Sequence, residues 1–337
     1  MNKELIEMWN NLTSEDRKAI YLETGEREGL PASAIEKDWW VTIALNIVFS
    51  LPISKHLVFK GGTSLSKGWN LIERFSEDID LAIDRSFLGF EGNLSQNQVK
   101  KLRKASCEFI ANDFAKSINE KIKELKISDV TLTVQDFKDS DTDPLVVELN
   151  YKSLTDESPY LKPRVLIEVG ARSLMEPSEE RGIQSLVGFH FSDNSFADKP
   201  FLIPTILPKR TFLEKAFLLH EEFQKSVEQI RIDRLSRHLY DLDKLMNTQH
   251  CKDALTDLEL YKTIIAHRQK FNTVRGIDYA NHQPNKIDFV PPKEIIKQWE
   301  SDYIAMQENM IYGKSESFEK LIENIVELRE KFRKIEI

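Results

Sequence analysis

The chain has 337 residues, 30% of them charged and 41% hydrophobic, with a formal net charge of −8. This balance excludes a disordered chain, an integral membrane protein and a uniformly basic nucleic-acid coat, while leaving room for a local basic patch. At this length two packed lobes are expected, and Cys107 and Cys251 match neither a zinc spacing nor a disulfide framework, which agrees with a reducing cytoplasm. No apolar h-region follows Met1-Asn2-Lys3-Glu4, so no cleaved secretory signal is expected. The greasiest stretch, 39–53, falls short of the ~20 apolar residues a membrane span needs.

In chain order, helical periodicity covers 3–28 and 32–50. In the second segment Ile35, Trp39, Ile43 and Ile47 recur every fourth residue after Pro31, predicting an amphipathic helix laid on a sheet. Lys37, inside Glu36-Lys37-Asp38-Trp39-Trp40, reads as a solvated helix lysine in preference to a phosphate contact. His56–Phe59 then reads as a short strand feeding a turn at Gly61-Gly62, with Thr63 as N-cap of a helical segment Ser64–Ile72. Backbone N–H groups in such a turn can bind anionic oxygen. Asp78 and Asp80 alternate with Ile79, Leu81 and Ile83, so in a strand both carboxylates leave one face. Two carboxylates so placed suit Mg²⁺, which takes one or two of them and completes its octahedron with water and substrate phosphates. The order of turn and carboxylate pair points to nucleotide chemistry.

A loop at 90–95 and a long polar helix at 96–125 follow. Strand signals cluster at 129–137, 144–151 and 163–172. Within Val165–Arg172, Glu168 and Arg172 are expected on one side, and Glu168 is the first candidate for a third carboxylate. Glu148, on Leu145–Tyr151, is the rival. From Pro208 the texture is helical, with segments near 210–227, 231–247, 254–270, 292–310 and 316–335, so the lobes are placed at 1–207 and 208–337. Taken alone, Lys215 reads as a solvated helix position beside Glu214, and Asp241 as the partner of Arg237 one turn earlier. His190, His220, His250, His267 and His282 show no metal-ligand spacing and receive no chemistry.

Phe59-Lys60-Gly61-Gly62-Thr63-Ser64-Leu65-Ser66-Lys67, followed by Arg74-Phe75-Ser76-Glu77-Asp78-Ile79-Asp80-Leu81, resembles the AbiEii/AbiGii-type nucleotidyltransferase toxin family of the DNA polymerase beta-like nucleotidyltransferase superfamily. The segments Glu36–Val41, Thr211–His220 and Arg237–Leu242 extend the resemblance toward the whole chain. It implies an α+β fold, with a small mixed sheet and helices forming the nucleotidyltransferase core and a C-terminal helical lobe completing the cleft. It also implies a metal-dependent enzyme in which Asp78 and Asp80 hold Mg²⁺, with Mn²⁺ as the alternative, on a nucleoside triphosphate. Lys60, Gly61, Gly62, Thr63, Ser64, Lys67, Arg74 and Arg172 are the implied nucleotide-binding residues. Lys215 would contact the triphosphate, Asp241 would orient that lysine or a substrate group, and Glu168 would activate the acceptor hydroxyl. The implied partners are the nucleoside triphosphate, the 3′ end of tRNA as acceptor and a cognate antitoxin, in the cytoplasm and with no membrane. Two alternatives stand beside this: a nucleotide-binding regulator without turnover, and transfer to a protein acceptor.

Overall fold

The computed structural model describes residues 3–76, 78–136, 144–156, 161–272 and 274–336. Two helices, α1 (Lys3–Asn11) and α2 (Ser14–Glu28), replace the single tract expected at 3–28. The break is local chemistry. Thr13 and Asp16 form a capping box, with the Asp16 N–H donating to Thr13 Oγ1 at 3.1 Å and the Thr13 N–H to Asp16 Oδ2 at 3.2 Å, which starts a new helix. Pro31 then opens α3 (Ala32–Phe49).

Among the described residues seven strands form one sheet: β1 (Leu57–Lys60), β2 (Asp78–Ile83), β3 (Val130–Val134), β4 (Leu145–Tyr151), β5 (Arg164–Gly170), β6 (Ser178–Ile183) and β7 (Phe201–Ile206), in the order β3-β4-β5-β2-β1-β7-β6. β2 runs parallel to β5 and β1 to β7, and the remaining pairs are antiparallel. Residue 137, the last of the strand expected at 129–137, lies outside the described residues. The alternation read from the sequence divides the two faces. Phe59, Ile79, Leu81, Val147, Ile167 and Val169 are buried, and α3 packs on β2 and β5. Lys60, Asp78, Asp80, Glu148 and Glu168 share the opposite, half-buried face.

Neither β6 nor β7 was expected. β6 is a polar edge strand with no hydrophobic alternation, and Pro204 interrupts the apolar run of β7. β7 is held by β6 along its whole length and by β1 at Phe59↔Thr205, so the ladder survives one missing donor. Their service to the fold is to support the turn after β1. A helical turn α4 (Gly61–Thr63) continues as a wider π-type turn over Ser64–Gly68, which packs on β6 and β7, and Arg181 Nε donates to the Gly68 carbonyl at 2.9 Å. The chain leaves helical geometry there, short of the expected Ile72. Helices α5 (Gln96–Phe109), α6 (Ala115–Glu124) and α7 (Leu186–His190) also belong to this part of the chain.

Helix α3 departs from the amphipathic expectation, being buried on nearly all sides, with Glu36 and Lys37 among its buried residues. Lys37 is not solvated: at 1% exposure its Nζ donates to the carbonyl of Lys162 at 2.9 Å and to that of Arg164. Glu36 accepts from the Leu154 N–H at 2.8 Å, the Thr155 hydroxyl at 2.7 Å and the Ser153 hydroxyl at 2.6 Å. Lys37 thus secures the entry to β5, which carries Glu168, and Glu36 the segment that leaves β4. Lys37→Met is expected to lower stability by about 1–3 kcal/mol by leaving buried carbonyls without their charged donor, as read in chemical denaturation. Unchanged stability together with lost nucleotide binding would instead give Lys37 a ligand role.

The structure divides into two compact units, one running to Gly68 and resuming at Phe75–Ile206, the other comprising Trp69–Arg74 and Leu207–Ile337. The second unit is helical: α8 (Pro208–Phe223), α9 (Ser236–Leu245), α10 (Gln249–Thr256), α11 (Leu258–Phe271), α12 (Ile296–Asn309) and α13 (Phe318–Arg333). The helix expected at 254–270 is broken at Asp257, whose Oδ1 accepts the Leu260 N–H at 3.0 Å and caps α11. Helix α8 packs on α9, α10 and α11. Among the described residues no helix is long and apolar enough to cross a membrane.

Candidate active site

The turn after β1 is built around one close approach. Gly61 has φ of +81°, and a Cβ added to it would lie 2.0 Å from Asp80 Oδ2 and 2.7 Å from Asp80 Cγ. Only glycine accepts both the backbone conformation and the contact. The diglycine bend therefore rests against one of the two carboxylates. Gly61→Ala is expected to cost about 1–3 kcal/mol of stability and to displace Asp80, with loss of any activity that depends on it. Calorimetric melting and an activity assay on the same preparation check this, and full activity in the variant would break the link between bend and carboxylate.

Thr63 does not cap a helix. It sits inside the turn at 0% exposure, its hydroxyl donating to the Asp78 carbonyl and lying 2.9 Å from the Ser76 hydroxyl. Ser64, also 0% exposed, donates to the Gly61 carbonyl at 2.9 Å. Both hydroxyls, expected at a nucleotide, hold the bend and the start of β2 together. What this segment can present to an anion is its backbone.

Register places the charged residues abreast. Asp80 stands opposite Lys60 on β1 and opposite Glu168 on β5, while Asp78 stands opposite Leu166. Glu168 is therefore one strand from Asp80 on the same face. Glu148 is a strand further out, opposite Leu166, and its Oε1 accepts from Arg164 Nη1 at 2.8 Å. Arg172 follows the end of β5 at Gly170, so the strand alternation expected to align it with Glu168 stops short of it. Among the described residues no group of three or more His, Cys, Asp or Glu side chains is gathered to hold a metal. The candidate donors are Asp78 and Asp80, hard oxygen ligands on one strand face beside a bend whose glycine leaves no room for a Cβ. This fits a cation that keeps water and substrate phosphates as its other ligands.

Lys67 is engaged internally. It forms an ion pair with Asp38 of α3, the two side chains being 10% and 11% exposed, and the other Asp38 oxygen accepts the Leu186 N–H at 2.8 Å. The helix-lysine segment preceding the turn is thereby tied to it, a role for Asp38 that no spacing in the sequence signals.

The second unit contains its own charged cluster. Arg74 Nε and Nη2 reach Asp241 Oδ1 and Oδ2 at 2.7 and 2.8 Å, a bidentate pair with side chains 2% and 0% exposed. Lys215 Nζ is 2.8 Å from Asp241 Oδ2 and 3.4 Å from His238 Nδ1. Asp241 therefore joins Arg74 and Lys215, where its own helix had suggested Arg237. Burial works against the Asp241 carboxylate, but Arg74 and Lys215 outweigh it and hold the group well below the usual carboxylate range. Burial, reinforced by Arg74, pulls Lys215 down from the ordinary lysine value against the support of Asp241. Burial and then the charges of Lys215 and Arg237 push His238 well below the usual imidazole range, so it stands neutral. Tyr240 adds a backbone contact, its hydroxyl accepting the Glu73 N–H at 3.3 Å.

A family model described as "Nucleotidyl transferase AbiEii toxin, Type IV TA system" matches residues 48–324. Among solved structures, the chain is similar to MenT4, a nucleotidyltransferase toxin from Mycobacterium tuberculosis H37Rv. The TM-score is 0.54 at 17% identity, over 97% of this chain and 91% of that one. No curated protein matches the chain. At that identity the structural likeness speaks for the α+β nucleotidyltransferase fold, and the family match covers most of the sequence, both units included. With the diglycine bend seated on Asp80 and the paired aspartates on one half-buried sheet face, the chain belongs to the AbiEii family of nucleotidyltransferase toxins, of type IV toxin–antitoxin systems.

Proposed function

We propose that the protein transfers a nucleotide from a nucleoside triphosphate to an acceptor hydroxyl, the 3′ end of tRNA, and that a cognate antitoxin opposes it in the cytoplasm. The observation carrying this reading is the contact of Gly61 with Asp80, since it joins an anion-binding bend to a candidate metal ligand. Asp78 and Asp80 would hold Mg²⁺ or Mn²⁺, which when bound supplies charge neutralisation on the triphosphate. The amide groups of the Gly61-Gly62 bend receive phosphate oxygen, with Lys60 and Arg172 as further nucleotide contacts. Glu168 takes the proton of the acceptor hydroxyl as its oxygen bonds to the α-phosphorus and the bond to pyrophosphate breaks. Lys215, oriented by Asp241, neutralises phosphate charge, and Arg74 acts on nucleotide through its hold on Asp241. Positioning and electrostatics supply most of the catalysis in such transfers. The two parts of the chain, 1–207 and 208–337, serve in this reading as the nucleotidyltransferase domain and a helical domain.

The test is incubation of purified protein with Mg²⁺, each labelled nucleoside triphosphate in turn and total tRNA. Label entering RNA, abolished by chelation, is the expected result. Nucleotide bound without pyrophosphate release would instead mark a regulator, and label migrating with polypeptide would mark a protein acceptor. Either outcome overturns the reading.

A further inference from the structure

We propose that His238 is the positioning residue of the phosphate-binding lysine: its Nδ1 holds one Lys215 N–H and Asp241 Oδ2 a second, leaving the third for a triphosphate oxygen. The inference rests on Lys215 being a phosphate contact, as proposed above. A lysine ammonium has three donors and no acceptor. Among the described residues the Nζ of Lys215 is held at 2.8 Å by Asp241 and at 3.4 Å by His238. Once two tetrahedral N–H directions are occupied, the direction of the third is fixed, which converts a flexible charge on a four-carbon stem into an aimed one. Asp241 alone leaves the ammonium free to rotate about a single bond. Asp241 is itself immobilised, because Arg74 grips both of its oxygens.

The imidazole can act so only while Nδ1 is unprotonated, with the ring proton on Nε2. The groups around it enforce that state. Burial, Lys215 on α8, Arg237 on α9 and Arg74 on the 69–74 segment all oppose a second proton, and only Asp241 favours one. Position 238 lies next to the Tyr240-Asp241 pair on the same helix, so its spacing from Asp241 is set by the backbone of α9.

The experiment measures affinity for each Mg²⁺–nucleoside triphosphate by calorimetry on the full chain, for wild type, His238→Leu, His238→Asn and Lys215→Ala. Removal of a hydrogen bond to a charged group predicts a dissociation constant raised about tenfold or more in His238→Leu. His238→Asn recovers most of the affinity, because its side-chain oxygen accepts where Nδ1 did. In the wild type, affinity falls as acidification below the ordinary imidazole range protonates Nδ1 and adds a like charge beside Lys215. In His238→Asn that contribution is missing, and the acid limb is shallower, leaving the part that protonation of the triphosphate and of the metal-binding carboxylates brings to both proteins. Equal affinity in wild type and His238→Leu, or an unchanged acid limb in His238→Asn, overturns the proposal. Should His238→Leu fail to fold, the pH profile of His238→Asn alone decides it. Wild-type affinity in Lys215→Ala would instead remove the phosphate role of the lysine, a failure distinct from that of His238.

Discussion

Asp80→Asn is expected to reduce nucleotide transfer roughly a thousandfold, equivalent to about 4 kcal/mol of transition-state stabilisation. The substitution keeps the shape that Gly61 packs against and removes only the charge, so the sheet should survive. Asp80 faces the half-buried side of β2, away from the core residues Ile79 and Leu81, which supports the same expectation. The measurement is label incorporation into tRNA under saturating Mg²⁺, with thermal melting as the control for folding. Two companions sharpen it. Glu168→Gln should lower the rate constant with little change in nucleotide affinity, as expected of a proton acceptor. Glu148→Gln, which only disturbs the pair with Arg164, should leave the rate near that of the wild type. Wild-type turnover in folded Asp80→Asn would remove the carboxylate pair from the chemistry.

Asp241→Asn is expected to destabilise the helical unit by about 3–5 kcal/mol, because it strands two buried cations that shared one carboxylate. The pH dependence carries a definite sign. With its folded-state value held well below the usual carboxylate range, Asp241 contributes stability that is present above its unfolded value of about 4. That contribution is lost as the pH falls from there through the folded value. Denaturant midpoints collected from pH 7 downward should therefore drop more steeply for the wild type than for Asp241→Asn. A difference of less than about 1 kcal/mol at neutral pH would show that the pair with Arg74 and Lys215 is dispensable.

The legible parts of the site are those governed by short-range geometry. Asp78 and Asp80 share a face because strand periodicity is two, and Gly61 is required because its φ is positive and a carboxylate occupies the space of its Cβ. What the sequence hides is the partner of each charge. Lys37, read as solvated, is buried on two carbonyls from residues more than a hundred positions away. Lys67 and Arg74, expected at a nucleotide, are each held by a carboxylate that is remote in sequence, 167 residues away for Arg74 and Asp241. A lysine or arginine on a helix or loop looks the same in sequence whether it meets water, phosphate or a buried acid. β6 and β7 leave little trace in the sequence for a related reason: an edge strand needs no hydrophobic alternation, and the strand beside it is stabilised by neighbours rather than by its own composition.

By itself, then, the amino-acid order determined the diglycine bend, the pairing of two aspartates on one strand face and the helical character of the chain beyond Pro208, while the α+β class came with the family resemblance those motifs carry. Periodicity and backbone conformation are properties of consecutive residues. Only the tertiary structure decided that Glu168 lies one strand from Asp80 with Glu148 beyond it, and that Arg74, Lys215 and His238 gather on Asp241. Those choices depend on strand register and on which buried charge finds its counter-charge, and both are settled by residues that meet only when the chain has folded.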